Sequence, residues 1–354
     1  SSEVTVVPDI DMPGNDELFA GYIEQLFYGD LGSSLYGNVG GDKLKDEDAK
    51  KIYNTLKSNI QAVANGKQTS AVFVVDDISY DSGITFEEAT DKLGLIMDEV
   101  VDYLLMDCPY DLYWFDKTVG YGCRFSSSIP GKIKISVSFA VAIEYKGDGN
   151  YEVNSSQAGI AQGAVSRAKA IVDKYVGQSD YEKLKGYMQE ICSLVDYNNA
   201  AANTPTHYGN PWQLVWVFDG DEATKVVCEG YSKAFQYLCD LSSFNNAVCY
   251  TVTGTMEGGA HMWNIVTLEG KNYLVDVTNC DGDSVGAPDK LFLAGASGSV
   301  DSGYTCNFTN RYGTSSSIRY IYDPEEKALF GEEILTLSSE SYQHKGKLTI
   351  TAPN

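Results

Sequence analysis

Apolar residues recur at helical spacing in several stretches of the chain. Leu18, Phe19, Tyr22, Ile23, Leu26 and Phe27 follow Asn15, which stands where an N-cap belongs, and predict a first helix. Residues 42–65 repeat the pattern, with Leu44, Ile52, Tyr53, Leu56, Ile60 and Val63 on one stripe and Asn65-Gly66 as the stop. A third helix opens at Thr85, with Glu88 placed to complete a capping box, and runs toward Leu105. Residues 157–176, 180–195 and 228–240 read as three more amphipathic helices.

Elsewhere the period falls to two. Residues 71–75 form a short apolar run, and within residues 112–145 the alternation of Ile133, Ile135, Val137 and Phe139 predicts antiparallel strands ending at the turn Gly147-Asp148-Gly149-Asn150. Residues 247–255, 261–268 and 273–278 are further strands, whereas residues 197–223 are polar and irregular apart from 212–218. Near the end, residues 318–322, the turn Asp323-Pro324-Glu325-Glu326 and residues 334–337 suggest a β-hairpin. The expectation is an α+β protein with helices packed on an antiparallel sheet and no internal repeat. It divides into an N-terminal α/β region over residues 1–150 of unassigned role, a central domain over 151–310, and a C-terminal hairpin appendage over 311–354.

Composition narrows the field. With 43% hydrophobic and 21% charged residues in a chain of 354, and 34 Gly against 9 Pro, the sequence is globular rather than fibrous or low-complexity. Lys and Arg number 26 against 49 Asp and Glu, a net charge of −23 that repels phosphate backbones, so nucleic acid is not an expected partner. No apolar run is long enough to span a bilayer, and the opening residues show no basic segment leading into an apolar one, so neither a membrane span nor a signal peptide is read here. The eight Cys lack paired C-x-x-C spacing; neither a metal site nor a cofactor is expected.

The candidate chemistry starts from the three histidines, His207, His261 and His344. His261 has the most suggestive setting, because Gly258-Gly259-Ala260 leads straight into the strand that carries it. Asp276 is an acid at an apolar strand position, in Tyr273-Leu274-Val275-Asp276-Val277-Thr278. A two-residue turn at Glu269-Gly270 would set Leu268 opposite Lys271 and Trp263 opposite Asp276. His261 and Asp276 would then be diagonal neighbours on one face, within reach of a hydrogen bond. Cys228 follows Val226-Val227 at the start of a helix, where the macrodipole and free backbone N–H groups favour a thiolate and offer an oxyanion donor. Glu229, next along, opposes that field. Cys192 and Cys239 lie on apolar helix faces and read as core, and Asn279, Asp281 and Asp283 as a turn.

Cys228-Glu229-Gly230-Tyr231, His261-Met262-Trp263-Asn264 and Asp276-Val277-Thr278, in that order, make residues 180–295 resemble the transglutaminase-like superfamily. The resemblance implies a papain-like core, with Cys228 as nucleophile, His261 as general base and acid, and Asp276 as the group that orients the imidazole. It also implies an upstream oxyanion donor, for which Gln213 or Trp212 are candidates, and a site wall from Trp263 and Tyr231. The activity implied is thioester formation on a glutamine amide or peptide carbonyl, with the acyl group then passed to water or an amine. Hydrolysis is the simpler expectation, since nothing identifies a lysine-binding groove. Protein or peptide substrates, cell-wall peptides among them, and an extracellular or bacterial-surface location go with the resemblance. The alternative is an inactive adhesion or binding protein that keeps the fold as a scaffold.

Overall fold

The computed structural model describes residues 3–6, 40–117, 119–203 and 214–345. The helix expected after Asn15 lies outside them, as do His207, Trp212 and Gln213.

The first half is built on a four-stranded antiparallel sheet. Its strands are β1 (Glu3–Val6), β2 (Val72–Ser79), β3 (Tyr121–Ser126) and β4 (Lys132–Phe139), in the order β1-β3-β4-β2. Two helices accompany it, α1 (Glu47–Ala64) and α2 (Phe86–Asp107). Helix α1 starts at Glu47 rather than near residue 42, because the Asp46 carboxylate accepts from the N–H groups of Asp48 and Ala49 and so caps the first turn. The stripe read from the sequence is its buried face: Ile52, Leu56, Ile60 and Val63 are fully enclosed. Each such side chain gains roughly 1.5–3 kcal/mol from leaving water. Helix α2 carries the expected capping box between Thr85 and Glu88.

Two further helices follow, α3 (Ser155–Lys174) and α4 (Asp180–Leu194), the latter opened by a second capping box from Ser179 and Glu182. Short strands β5 (Asp196–Tyr197) and β6 (Lys225–Val226) pair in parallel and lead into α5 (Cys228–Asp240). The second sheet is antiparallel and six-stranded. It comprises β7 (Ala247–Met256), β8 (Gly259–Leu268), β9 (Lys271–Val275), β10 (Ser297–Ser299), β11 (Gly303–Thr309) and β12 (Ser315–Tyr322), in the order β10-β11-β12-β7-β8-β9. Helix α5 packs on β7 and β8. The fold is therefore α+β with antiparallel sheets.

Four local readings change. Residues 276–278 do not continue β9: Asp276 caps the single turn α6 (Val277–Cys280), its side chain accepting from the Asn279 N–H. Residues 318–322 are not half of a detached hairpin. They belong to β12, which sits inside the large sheet between β11 and β7, with Tyr320 opposite Met256. The Asp323-Pro324-Glu325-Glu326 segment opens helix α7 (Pro324–Phe330), as Pro at the first helical position allows. Glu332–Leu335, expected extended in part, is a further helical turn.

The two halves share one apolar core. Tyr110 stacks on Tyr237 of α5 with ring centroids 4.9 Å apart, and Trp216 Nε1 donates to the Tyr145 hydroxyl at 3.2 Å. Among the described residues no helix is long and apolar enough to cross a membrane.

Candidate active site

The site forms where the start of α5 meets the neighbouring ends of β8 and β9. Cys228 is the first residue of α5, following the extended Val227, so its backbone N–H belongs to the turn that has no intrahelical acceptor. Gly230 makes this packing achievable. A Cβ there would come 2.6 Å from Val226 Cβ, so only glycine lets β6 pass so close beneath the helix.

The strand register is the one the turn predicts. Leu268 faces Lys271 and Asn264 faces Val275, while Glu269 and Gly270 both take positive φ, at 52° and 79°. Continuing the ladder by one residue brings Asp276 level with Trp263. His261 Nε2 accordingly lies 2.9 Å from Asp276 Oδ2, and Cys228 is close enough to the same imidazole to act on its charge. The structure thus brings all three residues to one place. They are buried: Cys228 and His261 are each 4% exposed and Asp276 is fully enclosed.

Polar bridges hold the helix and the strand in place. Asn264 Nδ2 donates to the Ser232 carbonyl of α5 at 3.1 Å and to Thr251 Oγ1 of β7 at 3.0 Å. Gln236 Nε2, further along α5, reaches the Cys249 carbonyl at 3.1 Å. Asn264 therefore ties the element carrying Cys228 to the one carrying His261.

Burial works against a charged His261, but Asp276 and, to a lesser degree, Cys228 outweigh it and raise the imidazole to about 10. Burial likewise opposes ionisation of Asp276, yet His261, Tyr320 and Asn279 together hold its carboxyl below the usual carboxylate range. The carboxyl of Glu229 is buried 2.9 Å from Lys233 Nζ; burial pushes the acid well up, with Lys117 opposing, and pushes the amine well down.

A cleft of about 670 Å³ opens beside the imidazole, its wall including His261, Met256, Tyr197, Asn279, Asp281 and Lys225. Neither expected wall residue lines it. Trp263 packs behind His261, the rings nearly parallel at 6.1 Å, and Tyr231 stands behind Tyr197 with its hydroxyl donating to Asp281 Oδ2 at 2.5 Å. Both aromatic rings are too far inside the core to meet a ligand. The two oxyanion candidates, Trp212 and Gln213, fall outside the described residues.

Two residues at the site escaped the sequence reading. Tyr320 on β12 donates to Asp276 Oδ2 at 2.7 Å, and Asn279, read as a turn residue, donates to the same oxygen from Nδ2 at 2.7 Å. The alternation of Ile318, Tyr320 and Tyr322 marked one face of a strand. Nothing in it said which strand would be the neighbour. All eight cysteines are free thiols, and among the described residues no group of three or more His, Cys, Asp or Glu is arranged to hold a metal ion.

No protein-family model matches the sequence, and no curated protein matches it significantly. Among solved structures, one described as "Crystal structure of a TGase" aligns at 19% identity over 47% of this chain, with a TM-score of 0.30. The alignment spans 46% of that chain, less than half its length. A likeness of that degree leaves the fold and the chemistry to be argued from the residues themselves.

Proposed function

We propose that this protein is a cysteine acyl-transfer enzyme with a papain-like core, in which Cys228 is the nucleophile, His261 the proton carrier and Asp276 the orienting carboxylate. The observation that carries this reading is the hydrogen-bonded pair His261 and Asp276, with Cys228 close by at the start of α5, beside an open cleft. A nucleophile at a helix start, with its base on one adjoining strand and the orienting acid at the end of the next, is the division of labour that activated cysteines use.

The Cys228 sulfur attacks the carbonyl carbon of a glutamine side chain or a peptide bond. The C–N bond then breaks as the His261 imidazolium gives its proton to the departing amine or ammonia. A thioester remains on Cys228. Water or a primary amine adds to it while His261 takes up a proton, and the C–S bond breaks to restore the thiolate. Asp276 stays ionised throughout and keeps the imidazole aimed. The Cys228 N–H, at the positive end of the α5 dipole, is a donor for the oxyanion formed at each addition.

Incubating the full chain with glutamine-containing peptides, with and without a fluorescent primary amine, tests the reading. Release of ammonia or cleaved peptide, or covalent capture of the amine, together with a mass shift at Cys228 on rapid quenching, is the expected result. If neither product nor acyl-Cys228 forms over a broad peptide library, the enzyme reading fails and the scaffold alternative takes its place.

A further inference from the structure

One oxygen of Asp276 carries most of the site's hydrogen bonding. Oδ2 accepts from His261 Nε2 at 2.9 Å, from Asn279 Nδ2 at 2.7 Å and from the Tyr320 hydroxyl at 2.7 Å, whereas Oδ1 accepts the Asn279 backbone N–H at 3.3 Å. Both extra donors are themselves fixed. The Asn279 amide also reaches Met256 Sδ at 3.0 Å on the cleft wall, and the Tyr320 ring is wedged against Trp263 at 5.2 Å.

The surroundings make these donors matter. The other titratable groups facing Asp276 are Cys192 of α4, Tyr197 of β5, Cys280 of α6 and Cys306 of β11, with Cys228 of α5 acting through His261. Burial pushes Cys192, Tyr197 and Cys280 up, and Cys306 up to about 12, so these four stay neutral around the carboxylate at physiological pH. A buried anion in that setting is stabilised by the hydrogen bonds it accepts, and each donor withdraws part of the charge otherwise available to the imidazolium.

We propose that Tyr320 and Asn279 are positioning residues for the pair His261 and Asp276, and that by sharing Asp276 Oδ2 they set how firmly the carboxylate holds the proton on His261. The proposal rests on the reading of Cys228 and His261 as nucleophile and base. It goes beyond that reading in assigning a role to a strand outside the resembling segment and to a residue of the cleft wall. The consequence has a sign. Removing either donor leaves more charge on Oδ2, strengthens the bond to the imidazolium and raises the pKa of His261.

The test is an NMR titration of the histidine-labelled chain in a Cys228→Ser background, which removes the thiol's contribution to the imidazole pKa. With three His in the chain, His261→Ala assigns the resonance. Tyr320→Phe and Asn279→Ala are each expected to raise the His261 pKa by about one unit, the size of one charge-assisted hydrogen bond among three. A role limited to packing would change the melting temperature and leave the titration alone. If Tyr320→Phe does not fold, Asn279→Ala, on the partly exposed cleft wall, carries the test. An unchanged or lowered His261 pKa in the folded variants overturns the proposal. The titration reads the imidazole directly, so it stands apart from the enzymatic reading, whose own failure would show as absent thioester chemistry at Cys228.

Discussion

Tyr320 and Asp276 are 44 residues apart in the chain, yet the tyrosine hydroxyl donates to Asp276 Oδ2 across 2.7 Å. The contact exists because β12 turns back from β11 and pairs on its other side with β7, placing Tyr320 opposite Met256. It makes the carboxylate that is hydrogen-bonded to His261 dependent on a strand beyond residue 310. The candidate site is therefore complete only when the end of the sheet is in place.

Asp276→Asn is the most direct probe of the orienting role. The amide keeps the shape of the carboxylate but cannot accept three donors on one oxygen or stabilise an imidazolium by charge. Turnover should fall by roughly 10²–10⁴-fold with folding retained. Steady-state rates, normalised to folded protein by circular dichroism, decide it; near-normal turnover would remove Asp276 from the mechanism.

The same pair makes stability depend on pH in a defined direction. His261 is raised to about 10 in the folded chain, against about 6.5 for a free imidazole, so its contribution is complete below about 6.5 and is lost as pH climbs toward 10. Asp276 is held below its usual range, so its contribution is present above about 3.9 and is lost as pH drops further. The melting-temperature gap between the wild type and Asp276→Asn should be widest between about pH 4 and 6.5, and should narrow steadily toward pH 10. Scanning calorimetry of both proteins across that range checks the sign. A gap that widens with rising pH would mean that His261 is not held as a cation.

Much of this was legible in the sequence, for local reasons. Thr85 sits where a helix start needs an oxygen acceptor, and Glu269-Gly270 can adopt the positive φ of a tight hairpin, which fixes the register that brings His261 to Asp276. What failed was non-local. The order of strands in a sheet is not written in the alternation of Ile318, Tyr320 and Tyr322, so the partner of Tyr320 could not be read. Asp276 was placed in a strand because its flanks are apolar; its own side chain, by capping the turn after it, ends the strand there. Trp263 and Tyr231 stand two and three residues beyond His261 and Cys228, but they lie one layer too deep to wall the cleft.

Cys228 should be the fastest-alkylated thiol that these elements carry, because among the cysteines it is the one that acts on the His261 imidazole. At pH 7, iodoacetamide labelling followed by peptide mass mapping should show Cys228 reacting well ahead of Cys192, whose thiol burial pushes up. His261→Ala should remove most of that advantage. Equal rates at the two cysteines in the wild type would mean an inert or shielded thiol and would count against the enzyme reading.

Two glycines separate the demands of the site from those of a generic helix. Gly254 pairs with His261 on one side and Tyr322 on the other, and a Cβ there would lie 2.0 Å from the Ile321 carbonyl oxygen and 2.8 Å from the Trp263 ring. Backbone cannot yield as a flexible side chain can, so Gly254→Ala must push β12 away from β7 and carry Tyr320 off Asp276. The expected cost is about 1–3 kcal/mol of stability, together with slower Cys228 labelling. Gly94 lies within α2, and a Cβ there meets no atom within 4 Å. Gly94→Ala should therefore add roughly 0.5–1 kcal/mol through helix propensity and a less flexible unfolded chain, with labelling unchanged. Urea unfolding with parallel alkylation rates distinguishes the two. If Gly254→Ala is as stable and as reactive as the wild type, the close approach of β12 to β7 is not what holds the site together.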